Sequence, residues 1–183
     1  EEGVATTAKD LKPVIAKALE ARPDALVLHL HAGSTALLIR QAAGIAGVPR
    51  IVAGSAMHQP ATAALLEPAE LKDVCAESGS SPISGGSPAI EEWTRAYRAQ
   101  FKDDPDAFAL AQYDGAMMYL AALKAGAKTA EQVRAYLAGE SYQGLAMRYR
   151  SDGKGNMAHD ALILCYDGKD RTPRVVKRYI HGT

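Results

Sequence analysis

The chain has 183 residues, 48% of them apolar, with 21 Lys+Arg against 21 Asp+Glu. That apolar content supplies a core and argues against disorder, and the charge balance gives no electrostatic reason to expect nucleic acid or an anionic membrane as partner. No apolar run reaches the ~18 residues of a membrane span, and Glu1-Glu2-Gly3 carries no signal-peptide pattern, so any export signal is expected to be absent or already removed.

Thr7-Ala8-Lys9-Asp10 has the capping-box spacing, with Asp in place of Glu. Leu11, Val14, Ile15, Ala18 and Leu19 follow at helical spacing, which predicts a helix from Ala8 to Ala21, stopped by Arg22-Pro23. The apolar run Ala25–His31 predicts a buried strand. Ala32-Gly33-Ser34 then makes a small-residue turn into a helix over Ser34–Ala46, ended by Gly47 and Pro49. Arg50–Ala53 is a second short strand and ends in small residues, Gly54-Ser55-Ala56. Pro60–Leu66 reads as a short helix and Leu71–Glu77 as a third strand. Strands separated by helices imply a parallel sheet with right-handed crossovers.

Ser78–Pro88 is rich in Ser, Gly and Pro and reads as a linker or hinge. Three helices are predicted beyond it, at Ala89–Lys102, Asp106–Gly126 and Thr129–Ala138, the last opened by a Thr129/Gln132 capping box. The tail changes period. Strands are predicted at Leu145–Arg150, Ala161–Tyr166 and Arg174–Ile180, with turns at Ser151–Gly155 and Asp167–Lys169. Cys75 and Cys165 lie far apart in apolar runs; one bridge can form, but buried free thiols are the expectation.

In open α/β sheets ligands collect at the carboxyl ends of strands, beside helix N-termini whose free N–H groups point at them. His31–Ser34 and Ser55 occupy such ends. His29 and His31 share a strand face, so a metal pair, a ligand contact at His31 and a packed histidine are all open; a metal site would need a third ligand from His58, His159 or a carboxylate, and no metal is expected. His29 lies deeper in the strand and is the weaker candidate. Ser55 lacks the second glycine of a nucleophile elbow and has no evident base and acid beside it, so no catalytic residue is assigned. Gly85-Gly86 is read as backbone flexibility rather than a phosphate loop, and Trp93, Tyr97 and Phe101 as core packing, the alternative being a face for a membrane permease. Asp152-Gly153-Lys154-Gly155 is read as a hairpin turn rather than a calcium loop.

The order of several short motifs resembles the branched-chain amino-acid-binding family of periplasmic solute-binding proteins. The motifs are Asp10-Leu11 and Pro23-Asp24-Ala25-Leu26-Val27, then Leu38-Ile39-Arg40-Gln41-Ala42, then Pro105-Asp106-Ala107-Phe108. Tyr113-Asp114-Gly115-Ala116, Leu123-Lys124-Ala125-Gly126, Tyr142-Gln143-Gly144, Asp152-Gly153 and His159 complete the series. The resemblance implies a type I periplasmic-binding-protein fold: two Rossmann-like lobes, α/β with parallel sheets flanked by helices, joined by crossing hinge segments around a ligand. It covers only the C-terminal half of such proteins. Residues 1–80 would be the back half of the second lobe, 81–173 the hinge and the back half of the first, and 174–183 a last strand returning toward the second. The chain would then be a fragment or lack a companion segment, and would need the missing N-terminal half or a second copy to cover its edges.

Carried over by position, His31 falls where the family places a pocket tyrosine, and Leu110 where it lines the pocket from the other lobe. Ser55 falls where the family places the acidic residue that holds an ammonium group. Without that carboxylate an α-amino group loses a charge-assisted partner. The implied ligand is then a carboxylate, an amide or an aromatic acid rather than a plain amino acid. It would be held by His31, Gly33, Ser34 and Ser55, with Met57 as an apolar wall. The expected function is the extracytoplasmic, periplasmic solute-binding component of an ABC importer, working with a membrane permease by hinge closure, with no cofactor and no enzymatic step. The alternatives are a ligand-sensing domain of a regulator or receptor, and a flavodoxin-like or hydrolase enzyme.

Overall fold

A computed structural model describes residues 1–180. By internal contacts it divides into two units, Glu1–Ser78 with Ile163–Lys177, and Gly79–Leu162 with the segment from Arg178. Residues 181–183 of the expected returning strand lie outside the described residues.

The first unit carries the alternation read from the sequence: α1 (Lys12–Glu20), β1 (Ala25–Leu28), α2 (Ala32–Ala43), β2 (Arg50–Ala53), the single turn α3 (Pro60–Ala63) and β3 (Val74–Ser78). The Thr7–Asp10 capping box does not open α1. Leu11 is the N-cap, without a side-chain cap, and proline occupies the first turn. The chain before it is committed elsewhere, because the Leu11 amide donates to Gln41 Oε1 on α2 at 2.7 Å. β1 and β2 pair in parallel, as do β2 and β3, with Leu28 opposite Ala53 and Ala53 opposite Ala76. Leu26, Leu28, Ile51, Ala53, Val74 and Ala76 form the core with Leu11 and Ile15 of α1 and Leu38, Ile39 and Ala42 of α2. On the opposite face of β1, Val27 is 68% exposed.

Two late strands join this sheet, β7 (Ala161–Cys165) and β8 (Arg174–Tyr179), giving the order β1-β2-β3-β7-β8. Their placement corrects the expectation for the cysteines: Cys75 and Cys165 form a disulfide, and no described cysteine is free. Sequence spacing could not supply this, since the pairing depends on which strands become neighbours. Tyr166 continues the seam. Its amide donates to the Val74 carbonyl at 2.9 Å, and its buried hydroxyl donates to the Met57 carbonyl at 3.1 Å. Burial pushes that phenol above its ordinary value.

The second unit holds α4 (Pro88–Phe101), α5 (Ala107–Lys124), α6 (Ala130–Gly139) and an antiparallel sheet of β4 (Ser141–Gln143), β5 (Arg148–Ser151) and β6 (Met157–Ala158). Side chains cap all three helices: Ser87 accepts from the Ile90 amide, Asp106 from Ala109, and the Thr129/Gln132 box forms. The expectation that the aromatic stripe of α4 is core is corrected, since Trp93 and Tyr97 are half-buried and Phe101 is exposed. Trp93, Tyr97 and Phe101 stack on one another with centroids 5.4 and 4.6 Å apart, and Phe101 is 61% exposed.

The anchor of this unit is Asp114 on α5. It is buried and accepts from the Leu145 amide at 2.7 Å, the Ala146 amide at 2.8 Å and the Tyr149 hydroxyl at 3.0 Å. One carboxylate thus fixes the β4–β5 turn on the helix. A buried charge with several donors is the tolerable form of a costly burial. Burial, with the Asp114 charge beside it, raises the Tyr149 phenol above its ordinary value.

Candidate ligand-binding site

β1 stops at Leu28, and the chain runs through His29 and Leu30 to His31, the N-cap of α2, which is extended at φ −68° and ψ 160°. Thr35 secures this turn. Its hydroxyl donates to the Leu30 carbonyl at 3.1 Å and its amide to the His31 carbonyl at 2.8 Å, with the residue itself buried. The amides of the first turn of α2, Ala32 to Ser34, precede the helical hydrogen-bond ladder and are available to an anion or a carbonyl oxygen. His31 and Gly33 are exposed and Ser34 is half-buried.

β2 ends at the same edge. The Gly54 amide donates to the Leu28 carbonyl at 2.8 Å, so the backbone after β2 stays bound to the end of β1. The Ser55 amide then donates to Glu77 Oε1, at the end of β3, at 2.9 Å. A Cβ on Gly54 would lie 3.3 Å from His29 Nδ1 and 3.8 Å from Glu77 Oε1, so both polar groups surround the bare face of that glycine. Three strand ends thus present His29, His31, Ser34, Ser55 and Glu77 along one edge, with the serines half-buried and His29, His31 and Glu77 exposed.

Of the residues singled out from sequence, His31, Gly33, Ser34 and Ser55 lie on this edge. Met57 lies in the core of the first unit and Leu110 in the second; each is 0% exposed, so neither side chain is presented to solvent. His29 is not deep in a strand: β1 ends before it and the side chain is exposed. His58 is buried, with Nε2 2.9 Å from the Ser78 hydroxyl. Among the described residues no group of three His, Cys, Asp or Glu is placed to hold a metal ion.

The sequence matches the periplasmic binding protein family over residues 1–170. The chain belongs to that family. No curated protein matches it. Solved structures agree on the fold, a type I periplasmic-binding-protein fold. The chain is similar to the branched-chain amino acid substrate-binding protein LivJ of Streptococcus pneumoniae in complex with isoleucine, at 23% identity and TM-score 0.77, over 93% of this chain and 49% of that one. It is similar to a solute-binding protein from R. palustris in complex with benzoate, at 14% identity and TM-score 0.79, over 97% and 49%. A leucine-, isoleucine-, valine-, threonine- and alanine-binding protein from Brucella ovis, in a closed conformation, aligns at 16% identity and TM-score 0.81, over 95% and 47%. The chain spans about half the length of these solved relatives.

Within this periplasmic binding protein chain, sequence reasoning missed Thr35 and Glu77, which build the edge, and Tyr166, whose hydroxyl ties Met57, two residues after Ser55, to the end of β7. Thr35 was legible as a hydroxyl one turn into a helix. Glu77 and Tyr166 act across strands, and no local pattern marks them. A cavity of about 880 Å³ lies in the second unit among α5, α6 and the β5–β6 hairpin, lined by Tyr119, Leu123, Val133, Leu137 and Met157 with Lys128 and Arg134. No residue of the strand-end edge lines it.

Proposed function

We propose that this chain is part of the extracytoplasmic, periplasmic solute-binding component of an ABC importer. It holds a small organic molecule between two lobes and hands it to a membrane permease, and no bond is made or broken. The observation that carries the reading is the strand-end edge of the first unit. A helix N-terminus at Ala32–Ser34, a Ser55 amide fixed by its neighbour, and the exposed His31 lie along it. The proposed ligand contacts are His31, Gly33, Ser34 and Ser55. Met57 and Leu110 complete the proposed set, Met57 from the first unit and Leu110 from the second. The ligand is a small carboxylate, amide or aromatic acid whose oxygen meets the amides of α2.

The Cys75–Cys165 disulfide supports an oxidising compartment outside the cytoplasm. The lobe assignment is 1–80 as the back half of the second lobe, 81–173 as the hinge and the back half of the first, and from 174 a last strand returning toward the second; the boundary between the units after Ser78 supports its first division. The proposed covering partner is the missing N-terminal half of the same protein or a second copy of the chain. Two apolar faces support this. Val27 is exposed on β1, and α5 is apolar around its circumference, with Phe108, Tyr113, Tyr119, Leu120 and Leu123 exposed. A helix apolar all round belongs inside a larger body.

Closure is a population shift: a ligand that contacts both lobes favours the closed state by its differential affinity. The test is thermal denaturation of the complete protein against a panel of organic acids, amides and amino acids. A binder raises Tm with concentration as RT ln(1 + [L]/Kd). No shift across the panel contradicts the transport reading.

A further inference from the structure

Resting on the solute-binding reading, we propose that Glu77 selects the ligand: its carboxylate receives a nitrogen-bearing group, a carboxamide or an ammonium, at the end of β3. Three observations carry this. Glu77 follows the last core residues of β3, at the edge where β1 and β2 also end. Its Oε1 is held by the Ser55 amide at 2.9 Å, so the carboxylate is positioned rather than free to sweep through solvent. The side chain is exposed, and among the described residues no ion pair engages it. A carboxylate accepts at several lone-pair sites, and the Ser55 amide uses one of them.

This changes what Ser55 implies. Ser55 brings no carboxylate of its own, which argued against an amino group in the ligand. Glu77 brings one to the Ser55 backbone from the adjacent strand. The same charge repels a ligand carboxylate placed against it and rewards an N–H donor, because hydrogen bonds to charged groups are the strong ones. Gly54 keeps the approach open, since a side chain there would press on His29 Nδ1 at 3.3 Å and crowd Glu77 Oε1. A ligand's oxygen end then lies toward the α2 amides and its nitrogen end toward Glu77. Within the class proposed above, amides fit this polarity and simple acids do not, and amines return as candidates.

The experiment is calorimetric titration of the complete protein with matched sets of acid, primary amide and primary amine on phenyl, cyclohexyl and isobutyl skeletons. The expected ranking places the amide or the amine about 10-fold or more ahead of the matched acid, the discrimination of one charge-assisted hydrogen bond. In Glu77→Gln the amine loses about 10-fold and the acid gains. The Tm of the unliganded variant stays unchanged, because the glutamine carbonyl still accepts from the Ser55 amide. Acids binding tightest in the wild type, or a ranking untouched by Glu77→Gln, overturns the assignment of Glu77 and leaves the solute-binding reading standing. Silence from every compound in every set removes both.

Discussion

Cys75 of β3 and Cys165 of β7 are bonded across a sequence separation of 90 residues, and the whole of Gly79–Leu162 lies within the loop they close. The disulfide fixes where the chain leaves the first unit and where it re-enters. A cross-link over so long a loop constrains the unfolded chain by about 4–5 kcal/mol in loop-closure entropy. Cys75→Ala/Cys165→Ala is therefore expected to lower stability by that amount. Urea unfolding in the presence and absence of reductant measures it: reductant should lower the midpoint of the wild type and leave the double variant unmoved.

Asp114 sets the second prediction. Asp114→Ala leaves the Leu145 and Ala146 amides and the Tyr149 hydroxyl without their acceptor. An expected loss of about 2–4 kcal/mol follows from stranding three half-buried donors at once. Circular dichroism melting gives the magnitude, and proton exchange at Leu145 and Ala146 localises it.

Gly144 makes the same contact fragile from the other side. A Cβ there would sit 2.6 Å from Tyr149 Cε2 and would also collide with the Asp114 carboxylate. Neither partner can yield without breaking the network. Gly144→Ala is expected to cost about 2–3 kcal/mol by overpacking, read in the same melting experiment.

The β5–β6 turn predicts a pH response. The Asn156 side chain, then the Lys154 and Asn156 amides, hold Asp152 below the ordinary carboxylate value of 3.8. A depressed carboxylate contributes stability above its unfolded pKa and loses it as pH falls through the folded value. Asp167 behaves alike, held down first by the Lys169 amide and then by Arg174. The Asn156 and Lys169 amide resonances should therefore stay fixed from about pH 7 to about pH 5 and shift only on further acidification. Movement near neutral pH would contradict the assignment.

Much of the fold was legible because it is local. Periodicity placed β2 at Arg50–Ala53 and found every longer helix within a few residues, and the Thr129/Gln132 box formed as its spacing required. The errors have a common cause. α1 starts late because Gln41 captures the Leu11 amide, a contact between helices that no capping pattern contains. β4 and β6 are three and two residues long, too short for alternation to register. The joining of β7 and β8 to the first sheet, and with it the disulfide, depends on pairing across some ninety residues. The site divides in the same way. His31, Gly33, Ser34 and Ser55 follow from strand ends and turns, whereas Glu77 matters only because β3 lies beside β2.

The most direct test of the strand-end site is a crystal structure of the complete protein with the strongest binder from the titrations. The account predicts ordered ligand within hydrogen-bond distance of the Ala32–Ser34 amides or of Ser55, with a nitrogen facing Glu77. Ligand ordered elsewhere, for example in the cavity between α5 and α6, with this edge in contact with solvent alone, would contradict it.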